Sequence, residues 1–135
     1  MIVEHIGIAV KDLTTAIKTY EKLLGRAPSK IEQVEGEGVA TAFFEMANGT
    51  KIELLAPLRP DSAIARFLEK HGEGIHHIAF GVEALPPHID RLSQTGFQVL
   101  YNPPRPGADG KMVTFIHPRD THGVLVEFCA DRAEE

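Results

Sequence analysis

The sequence is poor in the features that mark secreted and membrane proteins. It has one cysteine, Cys129, so no disulfide can form within the chain. Its apolar runs are only a handful of residues long, whereas a membrane-spanning helix needs roughly 18. The N-terminus leads directly into a strand-like segment, without the basic region and apolar stretch of a signal peptide. These absences predict a cytoplasmic protein that does not enter a membrane.

The chain also lacks a cluster of basic residues. It has 19 acidic and 14 basic side chains, which gives a formal net charge of -5. Because nucleic acids and anionic membranes attract basic patches, neither is an expected partner. The 43% hydrophobic content and the length of 135 residues suffice for one packed core, so we expect a single domain over residues 1–135.

The first half of the chain has the pattern of one helix and four strands. Residues 3–10 alternate between β-branched side chains and small or polar ones, which predicts a strand. Asp12 can then cap a helix that Gly25 ends. Three more strands are expected near 30–35, 39–46 and 50–56. The order of elements in this half is therefore βαβββ.

The second half repeats this order after a connector that contains a short helix, capped by Asp61 or Ser62. A strand at 75–82 precedes a helix that Gly96 ends, and further strands are expected near 97–101, 112–116 and 123–129. The fold class is thus α+β, with two tandem βαβββ modules. We assign module 1 to residues 1–56, the connector to 57–74 and module 2 to 75–130.

An internal repeat supports this division. The segment HIGIAV at 5–10 matches HIAFGV at 77–82, and IELL at 52–55 corresponds to VEFC at 126–129. Small residues follow each histidine on the same strand face, which indicates room for a ligand there. These small residues are Gly7, Ala9, Ala79 and Gly81.

In each half, the first strand contributes a histidine and the last strand a glutamate within an apolar segment. A buried carboxylate without a partner is costly, and two carboxylates in one site repel each other. A divalent cation removes both problems, so we predict a metal site formed by four ligands. A lone strand histidine is more often structural and a lone strand glutamate more often faces water, but the duplication favours the metal site. The predicted ligands are His5, Glu53, His77 and Glu127.

Two imidazoles and two carboxylates suit Co, Mn, Ni, Zn or Fe(II) without selecting one of them. In octahedral geometry two positions remain open, so a substrate can chelate the ion through two oxygens. The reaction class that fits best is removal of a proton next to a carbonyl, with the ion stabilising the enolate oxygen.

The segments HIGIAV, IELLAPL, GEGIHHIAF and HPRDTHGVLVE resemble the vicinal-oxygen-chelate, or glyoxalase, superfamily and within it the methylmalonyl-CoA epimerase family. The resemblance covers nearly the whole chain, and the connector at 54–80 is its most specific part. It implies a cupped mixed sheet around a metal site, formed by the two modules. It also implies that His5, Glu53, His77 and Glu127 bind the metal, that the substrate is an acyl-CoA thioester, and that the enzyme is a homodimer.

The reaction implied by the resemblance interconverts (2R)- and (2S)-methylmalonyl-CoA through C2 proton abstraction and a metal-stabilised enolate. It requires an acid and a base on opposite faces of the enolate. By the resemblance one of them is Glu127, and the other is a glutamate of a PEQGV-like turn. Here the turn reads VEGEGV at 34–39, with Gly36 at the aligned position. Glu37 is preferred over Glu35 because a Gly-rich turn absorbs a one-residue shift; alternatively, both are solvated turn acids.

Other residues are weaker candidates. His76 projects to the opposite strand face from His77, so it is a poor ligand for the same ion. The basic side chains of Lys111, Arg105 and Arg119 are candidate contacts for the phosphates of coenzyme A, although solvated surface bases are common.

Three alternative functions share this fold. They are a lactoylglutathione lyase, an extradiol-type dioxygenase, and a ligand-sequestering module without metal. A dioxygenase has one ligand fewer and the sequestering modules usually lack the ligand set, so four intact ligands argue against both.

Overall fold

The computed structural model describes residues 1–132, so the last three residues of the predicted domain lie outside the described part. The chain divides into two compact units. We call His5–His76 the 5–76 unit. The second unit combines Met1–Glu4 with the chain from His77 onward, and we call it the 77–132 unit.

The 5–76 unit has the predicted βαβββ order followed by a connector helix. Its strands are ordered β2-β3-β4-β1; β1 and β4 are parallel and the other pairs antiparallel. The first residues of β1 belong to the other unit. The elements are β1 (Ile2–Ala9), α1 (Leu13–Leu24), β2 (Lys30–Val34), β3 (Val39–Glu45), β4 (Lys51–Pro57) and α2 (Ala63–His71).

Helix α1 begins and ends at the predicted residues. The Asp12 carboxylate accepts a hydrogen bond from the Thr14 N–H at 3.1 Å. Gly25 ends the helix with φ of 71°, in the left-handed region that glycine adopts without steric cost. The apolar side of α1 packs on one sheet face, against Val10, Ala42, Phe44, Leu54 and Ala56.

Helix α2 packs against the opposite sheet face, around Ala9, Val39, Leu55 and Ile64. Of the two predicted caps, Ser62 is the one used, since its hydroxyl accepts a hydrogen bond from the Ala65 N–H at 3.1 Å. Asp61 instead pairs with Arg59 at 3.0 Å.

The 77–132 unit repeats the arrangement, with strand order β5-β8-β7-β6. Strands β5 and β8 are parallel, and helix α3 packs on one sheet face against Ile116, Phe128 and Ala130. Residues Gly74 to His76 of β5 belong to the other unit. The elements are β5 (Gly74–Gly81), α3 (Leu85–Gln94), β6 (Arg105–Pro106), β7 (Lys111–Ile116) and β8 (Val126–Asp131), with a short 3-10 helix at Pro118–Asp120.

The strand predicted at 97–101 is wrong. Only Val99 forms a bridge there, to Ile116, and the sixth strand is the two-residue β6. The Gln98 N–H donates to the Asp120 carboxylate at 2.8 Å instead of joining a ladder. Pro103 and Pro104 follow and have no N–H to donate, so pairing cannot continue through them.

The last strand begins at Val126 rather than at residue 123. Gly123 has φ of 91° and its N–H donates to Pro118 O at 2.7 Å, so it belongs to the turn after the 3-10 helix. None of the helices within the described residues is long and apolar enough to span a membrane.

The internal repeat extends to the register of the strands. In the 5–76 unit, Glu53 on β4 lies opposite Gly7 and Phe43. In the 77–132 unit, Glu127 on β8 lies opposite Ala79 and Phe115. In both modules the glutamate therefore lies between a small residue on one neighbouring strand and a phenylalanine on the other.

Candidate metal centre

The 5–76 unit brings its histidine and glutamate together. Gly7 pairs with Glu53, and His5 precedes Gly7 by two residues, so both side chains lie on one sheet face. His5 Nε2 lies 3.5 Å from Glu53 Oε1. The exposed fractions are only 6% for His5 and 3% for Glu53. The pair is therefore withdrawn from water on the face predicted from the sequence.

The 77–132 unit forms the same pair. His77 Nε2 lies 3.3 Å from Glu127 Oε1, and the exposed fractions are 3% and 5%. The imidazole of His77 also meets the edge of Phe115, with ring centroids 6.1 Å apart and an interplanar angle of 83°. This contact fixes the orientation of the ring beside Glu127.

The donor atoms of each pair are suited to a divalent ion. Two ligand atoms bound side by side at about 2.1 Å from one ion are roughly 3 Å apart. The separations of 3.5 Å and 3.3 Å are close to that value. Both are longer than the usual 2.7 to 3.2 Å of an N–H to O hydrogen bond. Imidazole nitrogen and carboxylate oxygen are also the donors preferred by borderline metal ions.

The space expected beside one of the small residues is filled. A side chain at Gly81 would meet Ile2 Cγ1 at 3.2 Å and Glu4 Cβ at 3.3 Å. Glu4 is only 6% exposed, although strand alternation predicts it on the opposite face from His5. Sequence reasoning therefore missed this buried carboxyl, which no pattern in the sequence indicated.

Glu4 belongs to a pocket of about 480 Å³ whose lining also includes Lys111, Cys129 and Asp131. Burial lowers the pKa of Lys111, but the hydrogen bond to Asp131 and the negative charges of Glu4 and Asp131 outweigh it and raise this pKa above its ordinary value. Lys111 is thus an ammonium group paired within this pocket.

The predicted second base lies in the turn between β2 and β3. Glu37 is half-buried and Glu35 is exposed. The turn is held by the Glu37 N–H, which donates to Val34 O at 3.1 Å, and by the Gly38 N–H, which donates to Glu35 O at 3.1 Å. The guanidinium of Arg59 donates to Glu35 O at 2.9 Å.

Two other histidines have structural contacts. His76 meets the ring of Phe67 edge-on, with centroids 4.9 Å apart, and burial lowers the pKa of His76 to about 4. His117 Nδ1 accepts a hydrogen bond from the Arg119 N–H at 3.1 Å and so caps the 3-10 helix.

The sequence of this chain is similar to a known protein family and to individual proteins. Residues 4–115 match the model of the Glyoxalase/Bleomycin resistance protein/Dioxygenase superfamily. The ethylmalonyl-CoA/methylmalonyl-CoA epimerase of Cereibacter sphaeroides is 45% identical over 125 residues, which cover 91% of this chain and 92% of that protein.

Solved structures of epimerases are similar over nearly the whole chain. A variant of Streptomyces coelicolor methylmalonyl-CoA epimerase in complex with 2-nitronate-propionyl-CoA has a TM-score of 0.91 at 38% identity, covering 98% of this chain and 99% of that one. A methylmalonyl-CoA epimerase in complex with methylmalonyl-CoA and NH4+ has a TM-score of 0.90 at 38% identity, covering 98% and 96%.

Proposed function

We propose, since the chain belongs to the glyoxalase superfamily and within it to the methylmalonyl-CoA epimerases, that it interconverts the 2R and 2S forms of methylmalonyl-CoA. Membership of this family makes the chain an isomerase. The observation that carries the proposal is the buried histidine–glutamate pair that each module presents in the same strand register. An acyl-CoA substrate is supported by the ligands of the similar solved structures.

We further propose that the two pairs bind one divalent ion, which is Co, Mn, Ni or Zn. Each glutamate is almost fully buried beside a histidine, and a divalent ion bound by both side chains would offset the cost of burying the carboxylate. When bound, the ion supplies positive charge to the thioester carbonyl and the carboxylate of the substrate. The ligands would be His5, Glu53, His77 and Glu127.

Glu127 is proposed to transfer the C2 proton on one face of the substrate. Strand β8 holds its backbone between β5 and β7, so the carboxylate has a fixed direction. Burial also keeps bulk water away from this carboxylate, so the side chain rather than solvent takes the proton from C2. Inversion needs a second acid or base on the other face, and we propose Glu37 for this role.

The first experiment follows the C2 hydrogen of methylmalonyl-CoA in heavy water by NMR. We expect rapid exchange for deuterium with metal-replete protein, and loss of exchange after treatment with a chelator. If the metal-replete protein catalysed no exchange, the proposed reaction would be wrong. Retention of full exchange in metal-free protein would instead refute the role of the ion.

The second experiment separates the two turn acids. In Glu37→Gln we expect inversion to fall by about 100-fold or more, because one face of the substrate loses its proton carrier. Exchange at C2 of one epimer should persist, since Glu127 is intact. Glu35→Gln is the matched control and should leave inversion unchanged. An equal effect of the two substitutions, or no effect of either, would reject Glu37 as the second base.

We also propose that residues 1–135 act as one catalytic domain, and that the enzyme is a cytoplasmic homodimer. Cys129 is buried and forms no disulfide within the described residues, which suits a reducing compartment. The dimer rests on the resemblance to a fold whose subunits often pair. Sedimentation at the 14.8 kDa mass of one chain would contradict the dimer.

A further inference from the structure

Arg105 lies on the sheet face that carries the His77–Glu127 pair. It is opposite Val113 in the pairing of β6 with β7, and residues directly opposite each other share a face. Val113 and Phe115 are two residues apart on β7 and so share this face, and Phe115 is opposite Glu127. Arg105 and Glu127 therefore project to the same side of the 77–132 unit.

A row of aromatic rings connects Arg105 to His77. The Cζ atom of Arg105 lies 4.0 Å from the centroid of the Tyr101 ring. That ring meets Phe115 edge-on with centroids 5.5 Å apart, and Phe115 meets His77 edge-on at 6.1 Å. The Thr114 hydroxyl donates to Tyr101 O at 2.6 Å and holds the tyrosine backbone in place. The guanidinium is thus positioned by rigid rings rather than by a carboxylate.

The hydrogen-bond donors of Arg105 remain open. Arg105 is exposed, and within residues 1–132 no group accepts a hydrogen bond from its guanidinium. The other predicted phosphate contacts are engaged, since Lys111 donates to Asp131 and Arg119 donates to the Gln98 side chain. Four further arginines also have polar partners, namely Arg26, Arg59, Arg66 and Arg91.

We infer that Arg105 binds the diphosphate of the acyl-CoA substrate and that Tyr101 positions it, an inference that rests on the proposed function. A guanidinium presents paired N–H donors that match two phosphate oxygens, and stacking on an aromatic ring leaves those donors available. The diphosphate follows the pantetheine arm, so its receptor must lie on the same face as Glu127 but away from it. Arg105 meets both requirements.

The experiment measures binding by calorimetry with coenzyme A, dephospho-coenzyme A and pantetheine. Arg105→Gln should weaken coenzyme A binding about tenfold, as expected for a partly exposed charged hydrogen bond. Dephospho-coenzyme A, which keeps the diphosphate, should lose the same factor, and pantetheine should lose nothing. Arg91→Gln removes the same charge from the exposed side of α3 and should leave all three affinities unchanged.

Tyr101 is tested by a matched pair of substitutions. Tyr101→Phe keeps the ring beneath the guanidinium and should keep coenzyme A affinity, whereas Tyr101→Leu should weaken it toward that of Arg105→Gln. In turnover, Arg105→Gln should raise KM for methylmalonyl-CoA and leave kcat unchanged, because the diphosphate is remote from C2.

Three outcomes would overturn the inference. The first is equal coenzyme A affinity for Arg105→Gln and wild type. The second is a loss of affinity in Arg105→Gln that is seen with coenzyme A but not with dephospho-coenzyme A. The third is a wild type that binds pantetheine as tightly as coenzyme A. The outcome of these binding measurements does not depend on whether the proposed reaction is correct. Binding needs no turnover, and C2 exchange in the pantetheine thioester of methylmalonate tests the reaction without any phosphate.

Discussion

The two buried glutamates have the same surroundings but are assigned different tasks. Glu53 and Glu127 both lie within 3.5 Å of a histidine, and both are at most 5% exposed. Only Glu127 is proposed to carry a proton as well as bind the ion. A glutamine keeps an oxygen that can bind a metal but cannot accept a proton, so the same substitution at the two positions separates these tasks.

We therefore expect Glu127→Gln to reduce C2 exchange of the epimer that Glu127 deprotonates by about 100-fold or more, the usual contribution of a general acid or base. Glu53→Gln should reduce exchange by less than about tenfold and retain the ion, since an oxygen ligand remains. Both variants are compared by C2 exchange and by metal content. Equal losses of exchange with metal retained in both would contradict the assignment of proton transfer to Glu127.

At the scale of single residues, the sequence predicted the strand face of a site residue where both its residue type and its position in an apolar strand pointed to the same role. Strand alternation, which the apolar pattern reveals, predicts the face of each side chain, and the parallel register of β1 with β4 then brings His5 and Glu53 together. Glu4 was missed because alternation places it opposite His5, and its burial beside Gly81 depends on side-chain packing across strands.

At the scale of elements, the turn between β2 and β3 depends on Gly38. Its φ is 68°, and a Cβ there would lie 2.9 Å from Cζ of Arg59 and 3.1 Å from Cβ of Ser62. Gly36, in the same turn, has open space around it and no positive φ. The two glycines therefore have different structural roles although they are two residues apart.

We expect Gly38→Ala to lower the free energy of unfolding by about 1 to 3 kcal/mol, because alanine is strained at this φ and contacts Arg59. Gly36→Ala should change it by less than about 0.5 kcal/mol. Urea unfolding of the two variants and the wild type measures both values. A loss in Gly36→Ala as large as that in Gly38→Ala would show that the turn does not depend on its left-handed residue.

The elements also show which secondary structure the sequence patterns could predict and which they could not. Helix α1 was predicted with both ends correct, because Asp12 and Gly25 act on the backbone next to them. The strand predicted at 97–101 failed because Gln98 bonds to the side chain of Asp120 and two prolines follow. Local propensity cannot report a hydrogen bond to a residue that is distant in the sequence.

At the scale of the molecule, the duplication was the informative signal. The order of the elements and the equivalent positions of Glu53 and Glu127 followed from two similar half-sequences, and the structure adds that their strand registers also match. The turn at 34–39, by contrast, has no repeated counterpart in the second half, so the proposal of Glu37 as the second base rests on a choice between two neighbouring glutamates. A pattern that occurs in both halves can be checked against its repeat, whereas a turn that occurs once cannot.

The two histidine–glutamate pairs are proposed to bind the same ion. The most direct test is the metal content per chain, measured by mass spectrometry after dialysis, for the wild type, His5→Ala and His77→Ala. We expect one ion per chain in the wild type and loss of that ion in either variant. Two ions per chain, no ion in the wild type, or an ion retained by one of the variants would contradict it.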